Sequence, residues 1–141
     1  MLKHGRRRTP SKGFTLLELV VVIVILAILA GLAVPRYMRT VNRSRSNEAL
    51  QTLGYLRESA ERYYARYSSY SGIANDFGNL DFSPTDVSGT ASWTYAASGQ
   101  AAEAYTFTAT YTAGAASDKV TLSKAAGGAV TITGAGQFSG I

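Results

Sequence analysis

The sequence predicts an α+β chain: a long N-terminal α-helix whose C-terminal half packs on a small antiparallel β-sheet of about four strands. Three observations predict it. An apolar run with a single carboxylate, Glu18, occupies Phe14 to Val34. An apolar stripe at helical spacing follows, through Ala49, Leu53, Leu56, Ala60, Tyr63 and Tyr67. The C-terminal third then alternates apolar and hydroxylated residues with a period of two, as a half-buried strand does.

The first element is a basic head. Five of the fourteen basic residues, Lys3, Arg6, Arg7, Arg8 and Lys12, fall in residues 1–13, and all nine acidic residues lie after Gly13. The remainder is formally neutral, so the net charge of +5 reports a detachable segment and not a nucleic-acid-binding domain. At about 1.5 Å per residue the 21-residue run that forms the second element reaches about 31 Å, the thickness of a bilayer's hydrocarbon. This run is longer than the apolar core of a secretory signal peptide, and the helical pattern continues past Pro35. The basic head favours a cytoplasmic N-terminus, although Arg36, Arg39, Arg43 and Arg45 oppose it from the other flank.

One charge interrupts this run: Glu18, four residues after Phe14. A carboxylate costs about 3 kcal/mol at a bilayer centre and less near an end. Snorkelling to the headgroups would lower that cost, and so would a neighbouring cation. Pro35 removes the amide that would bond the Gly31 carbonyl, which predicts a bend or local melting of the helix there.

Lys12-Gly13, then Phe14-Thr15-Leu16-Leu17-Glu18, then an apolar helix to Pro35 resembles the class III signal and N-terminal helix of type IV prepilins and the related pseudopilins. The resemblance covers about 35 residues. It implies that a membrane-embedded prepilin peptidase cuts between Gly13 and Phe14, with N-methylation of the new Phe14 amine. It also implies that Glu18 pairs with the Phe14 amine of a neighbouring subunit during assembly, and that Gly31 to Pro35 is a section that extends in filaments. The implied partners are further copies in a helical homopolymer, the peptidase and N-methyltransferase, and an inner-membrane platform with its assembly ATPase. The implied location is the cytoplasmic membrane before assembly and an extracellular pilus or periplasmic pseudopilus afterwards.

Residues 36–67 read as an amphipathic continuation of the helix, with Arg57, Glu58, Glu61, Arg62 and Arg66 off the apolar stripe and Glu58–Arg62 in the favourable i,i+4 order. Residues 68–92 lose the periodicity and gain Gly, Asn, Asp and Ser, which predicts a connecting loop. The strands are expected at Ser92–Ala96, Tyr105–Thr112, Lys119–Ser123 and Ala129–Thr133, with the last two joined at Gly127-Gly128 as a hairpin. Residues 93–141 thus form the sheet of a globular head, which is also the pilin architecture.

Charge placement suggests contacts. Arg36, Arg39 and Arg43 share a helical face that suits phospholipid headgroups before assembly and acidic neighbours afterwards. A DNA-phosphate role is disfavoured because no groove-reading or stacking motif accompanies them. The loop acids Asp76, Asp81 and Asp86 are expected to pair with that arginine face on an adjacent subunit. Asn75, Asp76, Asn79 and Asp81 offer oxygen ligands at a spacing that fits no EF-hand, and turn formation is the better reading. The tail after Asp118 lacks an acidic cluster of the kind the resemblance to the major type II secretion pseudopilin leads one to seek, which favours a pilin proper. Tyr63, Tyr64, Tyr67 and Tyr70 read as packing and not as an electron path. Asn42-Arg43-Ser44 matches a glycosylation tripeptide only weakly. No inserted domain enlarges the head, which favours a repetitive major subunit.

The chain has no cysteine, and its single histidine is His4. Disulfides and thiolate metal sites are thereby excluded, and neither a nucleophile–base pair nor a phosphate-cradling loop is present. No catalytic residue, metal or cofactor is expected. The sequence reads as a structural subunit of a type IV pilus-like filament. A pseudopilin of a type II secretion system is the alternative within the family. A single-pass tethered binding domain that never polymerises is the alternative of another class.

Overall fold

The computed structural model describes residues 13–86 and 92–141. Residues 1–12 of the basic head lie outside the described residues, as does the end of the expected connecting loop at 87–91. Contacts divide the chain into two units, residues 1–38 and 39–141.

The main helix, α1, runs from Leu16 to Tyr67 over 52 residues. In the first unit every large apolar side chain from Phe14 to Val34 is exposed, from 40% at Val20 to 80% at Leu16. The helix is long and apolar enough there to cross a membrane by length and composition. Pro35 lies inside it. The chain stays helical across Gly31 to Pro35, without the local melting that was one of the two expected effects.

The second unit closes a core of its own. After α1 come a 3₁₀ turn at Pro84–Asp86, strands β1 (Trp93–Ser98), β2 (Tyr105–Tyr111), β3 (Lys119–Lys124) and β4 (Val130–Ala135), and a 3₁₀ turn at Gly136–Phe138. The strands form one antiparallel meander in the order β1-β2-β3-β4. Its register places Ala97, Phe107 and Leu122 in one row and Tyr95, Ala109 and Val120 in the next. On β2 the alternation is realised as Tyr105, Phe107 and Ala109 fully buried between half-buried threonines. Ala49, Leu53, Leu56 and Ala60 of α1 are fully buried in the same cluster. β4 is less covered, with Ile132 46% exposed.

The helix stripe is broader than its apolar residues suggest, because Ser46, Thr52 and Ser59 are also buried. Ser46 and Thr52 donate to the carbonyls of Arg43 (2.9 Å) and Glu48 (3.4 Å), so small hydroxyls let the helix approach the core without orphaned polar groups. At its far end the stripe departs from expectation. Tyr67 is 58% exposed, and it is Tyr64 that packs on the core, its ring stacked 4.5 Å from Tyr70.

The segment expected to be only a connection supplies core. Tyr70, Ile73 and Phe77 are buried, and successive turns bond Ile73 N to Tyr70 O, Phe77 N to Ala74 O and Leu80 N to Phe77 O, each at 3.0 Å. Asn79 clamps this coil, accepting from Ala74 N at 2.9 Å and donating to the Gly72 carbonyl.

Candidate functional site

The residues that carry the resemblance lie where α1 begins. Thr15 precedes the first helical residue, and Glu18 stands three positions later. The Glu18 amide donates to Thr15 Oγ1 (3.2 Å), while Glu18 Oε2 accepts from the Thr15 amide and hydroxyl, both at 3.4 Å. This is a reciprocal capping box, which satisfies two of the helix's orphan donors and sets a negative charge against the positive end of its dipole. Glu18 thus has a role within its own chain that the sequence reading missed, although Thr-x-x-Glu ahead of an apolar run is its recognised signature. Gly13 and Phe14 lie outside the helix, with Phe14 73% exposed. The peptide bond between them is therefore not held in a helical ladder.

The acidic loop residues are placed differently from expectation. Asp81 Oδ2 meets Arg62 Nε at 2.5 Å and its Oδ1 meets Arg62 Nη2 at 3.0 Å. Ser59 also donates to it. The Arg62 guanidinium, then Ser59, hold the Asp81 carboxyl down at about 2. Asp81 therefore pairs with its own helix, because the coil at 70–80 returns the chain over Ser59 and Arg62. Asp76 accepts from the Gly78 amide at 3.1 Å as a turn former. The side chain of Asp86 lies outside the description. Asn79 Oδ1 and Asp76 Oδ1 accept from loop amides, and Asn75 Oδ1 accepts from Gln100, which lies between β1 and β2. Among the described residues no three acidic, His or Cys side chains gather as metal ligands.

Two polar clusters secure the head. Glu61, read from sequence as a surface residue, accepts from the hydroxyls of Tyr70 (2.8 Å) and Tyr105 (3.4 Å). Burial first, and then Glu61, pushes the Tyr70 hydroxyl well above the ordinary tyrosine range, and Tyr105 is raised likewise. The second cluster centres on Asp118. Its carboxylate accepts from Ala115 N (2.9 Å), Gln137 N (2.9 Å) and Gln137 Nε2 (3.1 Å), which fixes the turn at Gly136–Phe138. Phe138, 1% exposed, then packs against Trp93 and Tyr111. Gly136 has φ +64° and a Cβ there would overlap Asp118, so the turn needs glycine on both counts. A chain without cysteine holds its last turn by one carboxylate and one aromatic ring.

An exposed apolar helix with a Gly-Phe…Glu start, attached to a head of helix on antiparallel sheet, defines a type IV pilin. The comparisons agree. A profile described as "Prokaryotic N-terminal methylation motif" matches residues 8–34. The chain belongs to the family described as "Type IV minor pilin ComP, DNA uptake sequence receptor", whose profile matches residues 35–123, more than half of it. It is 35% identical over 77 residues to the type IV major pilin protein PilA of Myxococcus xanthus, covering 55% of this chain and 35% of that one. It is 44% identical over 55 residues to the fimbrial protein EcpC of Eikenella corrodens, covering 39% and 36%. It is 36% identical over 75 residues to the type II secretion system core protein G of Dickeya chrysanthemi, covering 53% and 49%. These alignments span half or less of each relative's length. The relatives are structural pilins and not enzymes. These relatives include a major pilin, whereas the family is described as one of minor pilins. No solved structure gives a significant match.

Proposed function

We propose that this chain is a structural subunit of a type IV pilus-like filament. It enters the cytoplasmic membrane as a prepilin, loses residues 1–13 by cleavage after Gly13, is N-methylated on Phe14, and polymerises through its N-terminal helix. The observation that carries this reading is that Phe14 to Val34 leave all their large apolar side chains uncovered while the head buries its own core. Removing such a side chain from water yields about 1.5–3 kcal/mol, whether lipid or copies of the same helix cover it. Glu18 sets the axial register by meeting the Phe14 amine of a neighbour, and Gly31 to Pro35 extends in the filament. The peptidase, the platform protein and the assembly ATPase are the partners of this cycle.

N-terminal mass spectrometry of the sheared surface fraction, with electron microscopy, tests this reading. A methylated Phe14 terminus within fibres is expected. An intact Met1 terminus confined to membranes, with no fibres, would leave a tethered binding domain. Processed chains without surface fibres would favour the type II secretion pseudopilin. Glu18→Gln separates the two roles of Glu18, because glutamine still completes a capping box but carries no charge. Normal membrane insertion with loss of fibres is the outcome that supports pairing with the amine.

The family description favours a second reading, in which the filament contacts DNA during uptake. Electrophoretic shift of a duplex by purified filaments, falling steeply with salt, is its test. Absence of any shift at low salt removes it.

A further inference from the structure

In the second unit an open groove of about 590 Å³ runs between residues 39–43 of α1 and the C-terminal turn that begins at Gly136. Its size lies within the roughly 300–1,000 Å³ usual for small-ligand clefts. Arg39 and Arg43 line it, both exposed, and i,i+4 spacing sets their stems about 5–6 Å apart on one helix face. None of the lining side chains is acidic. Among the described residues no carboxylate pairs with either guanidinium. Asp118 touches the lining residue Gln137, but its oxygens are already taken by three N–H donors.

Between the two arginines Asn42 also lines the groove, and its Oδ1 is buried with no hydrogen-bond partner. A buried amide oxygen left unpaired is costly, so a donor entering the groove and reaching it would be favoured. The groove therefore offers two adjacent cations and one acceptor that needs a donor. A phosphodiester bearing a free hydroxyl satisfies all three.

Arg39 and Arg43 follow Val34 by only five and nine residues. Chain lengths of that order reach at most roughly 18 and 32 Å even when fully extended. In a chain anchored through Phe14–Val34, Arg39 and Arg43 can therefore lie no farther than those lengths from the end of the span.

We propose that, before assembly, the Arg39–Asn42–Arg43 groove binds the headgroup of an anionic glycerophospholipid such as phosphatidylglycerol. The phosphodiester lies between the two guanidiniums, and a headgroup hydroxyl donates to Asn42 Oδ1. The site rests on the membrane-anchored reading above and adds to it a lipid preference and a place for the head to wait.

The test uses the full chain reconstituted in phosphatidylcholine vesicles for insertion, and in detergent for lipid retention by native mass spectrometry. Trp93 is the chain's only tryptophan, and its ring lies 5.0 Å from Phe138 in the groove wall, so its emission gives a second readout. Phosphatidylglycerol should be retained well above phosphatidylcholine and should shift the Trp93 emission. The double variant Arg39→Gln/Arg43→Gln should bind it about 25-fold more weakly, at about fivefold per basic residue near a lipid surface. The control Arg57→Gln/Arg66→Gln, which removes two exposed arginines elsewhere on α1 and leaves the basic head intact, should bind as the parent does. Asn42→Leu should keep phosphatidic acid, which has no headgroup alcohol, but lose the preference for phosphatidylglycerol.

Equal loss in both double variants, or loss in neither, would overturn the proposal. Displacement of the lipid by a DNA duplex through Arg39 and Arg43 would overturn it in favour of nucleic acid. A chain that carbonate strips from the vesicles would sink the membrane reading and this proposal together, whereas insertion with arginine-independent retention overturns this proposal alone.

Discussion

Residues 16–34 and 46–60 belong to one helix, yet they meet opposite fates. The first stretch is built of Leu, Val and Ile on every side, and none of these is covered by the chain. The second interleaves Ser46, Ala49, Thr52, Leu53, Leu56, Ser59 and Ala60 on one face, and all seven are buried. An all-round apolar helix can be satisfied only by a medium or by copies of itself, while a one-sided helix can be satisfied by a sheet the chain carries. The difference separates what the subunit stabilises alone from what it must find elsewhere.

The largest expected effect falls on the self-sufficient side. Phe107 is fully buried, stacked on Tyr105 at 4.5 Å and edge-on to Phe77 at 5.5 Å. Phe107→Ala should cost about 3–5 kcal/mol. Thermal unfolding followed by Trp93 emission should move down by about 4–8 °C for each kcal/mol in a domain of this size. An unchanged midpoint would mean that the head is not held by its own core.

Next in size is the C-terminal turn. Asp118→Ala removes the acceptor for three N–H groups and should cost about 1.5–3 kcal/mol. Hydrogen exchange should show Ala115 and Gln137 amides losing protection while the β2 amides keep theirs. Uniform loss across the sheet would make Asp118 part of the core's cooperative unit and not a local clasp.

A smaller effect is expected at Asp81. Its carboxyl is held at about 2, below the ordinary 3.8. A lowered folded value means that the unfolded chain takes up protons first as pH falls. The stabilisation is therefore present above about pH 4 and disappears as pH falls through about 2. Both side chains of the pair are about half exposed, at 55% and 53%, so the difference from Asp81→Asn should be about 1 kcal/mol or less. Midpoints of the parent and of Asp81→Asn should differ at pH 5 and converge near pH 2. A constant gap would assign the effect to packing.

Much of this was legible in the sequence because it is written in periodicity. The four strands follow from alternation, most clearly Tyr105 to Tyr111 with its threonines, and the stripe from Ala49 to Ala60 from helical spacing. The start of α1 was legible in type but incompletely used, since Thr15 and Glu18 spell a capping box as well as an assembly motif. What stayed hidden depends on where the chain returns. Nothing local to Asp81 says that Arg62 stands opposite, and nothing near Glu61 announces two tyrosine hydroxyls from residues nine and forty-four positions away. Tyr70, Ile73 and Phe77 were hidden by their polar neighbours, because a loop that builds core through turns has no single period. The groove beside Arg39 and Arg43 needs the last turn of the chain, whose position is fixed by Asp118 and Phe138 and by no pattern in residues 136–141.

The smallest expected effect sharpens the comparison most. Leu26 is 57% exposed in the middle of the uncovered stretch. Leu26→Ala should leave the unfolding midpoint of the head unchanged within about 0.5 kcal/mol, the usual scatter for exposed substitutions. The same substitution should reduce fibre yield, since its own chain leaves the side chain uncovered. A head whose midpoint falls by several degrees would show that the apolar helix docks on its own chain, and the division of labour within α1 would have to be redrawn. A head unmoved and fibres lost would fix that division at the level of a single side chain: the sequence from Arg39 onward folds the subunit, and the run from Phe14 to Val34 waits for other molecules.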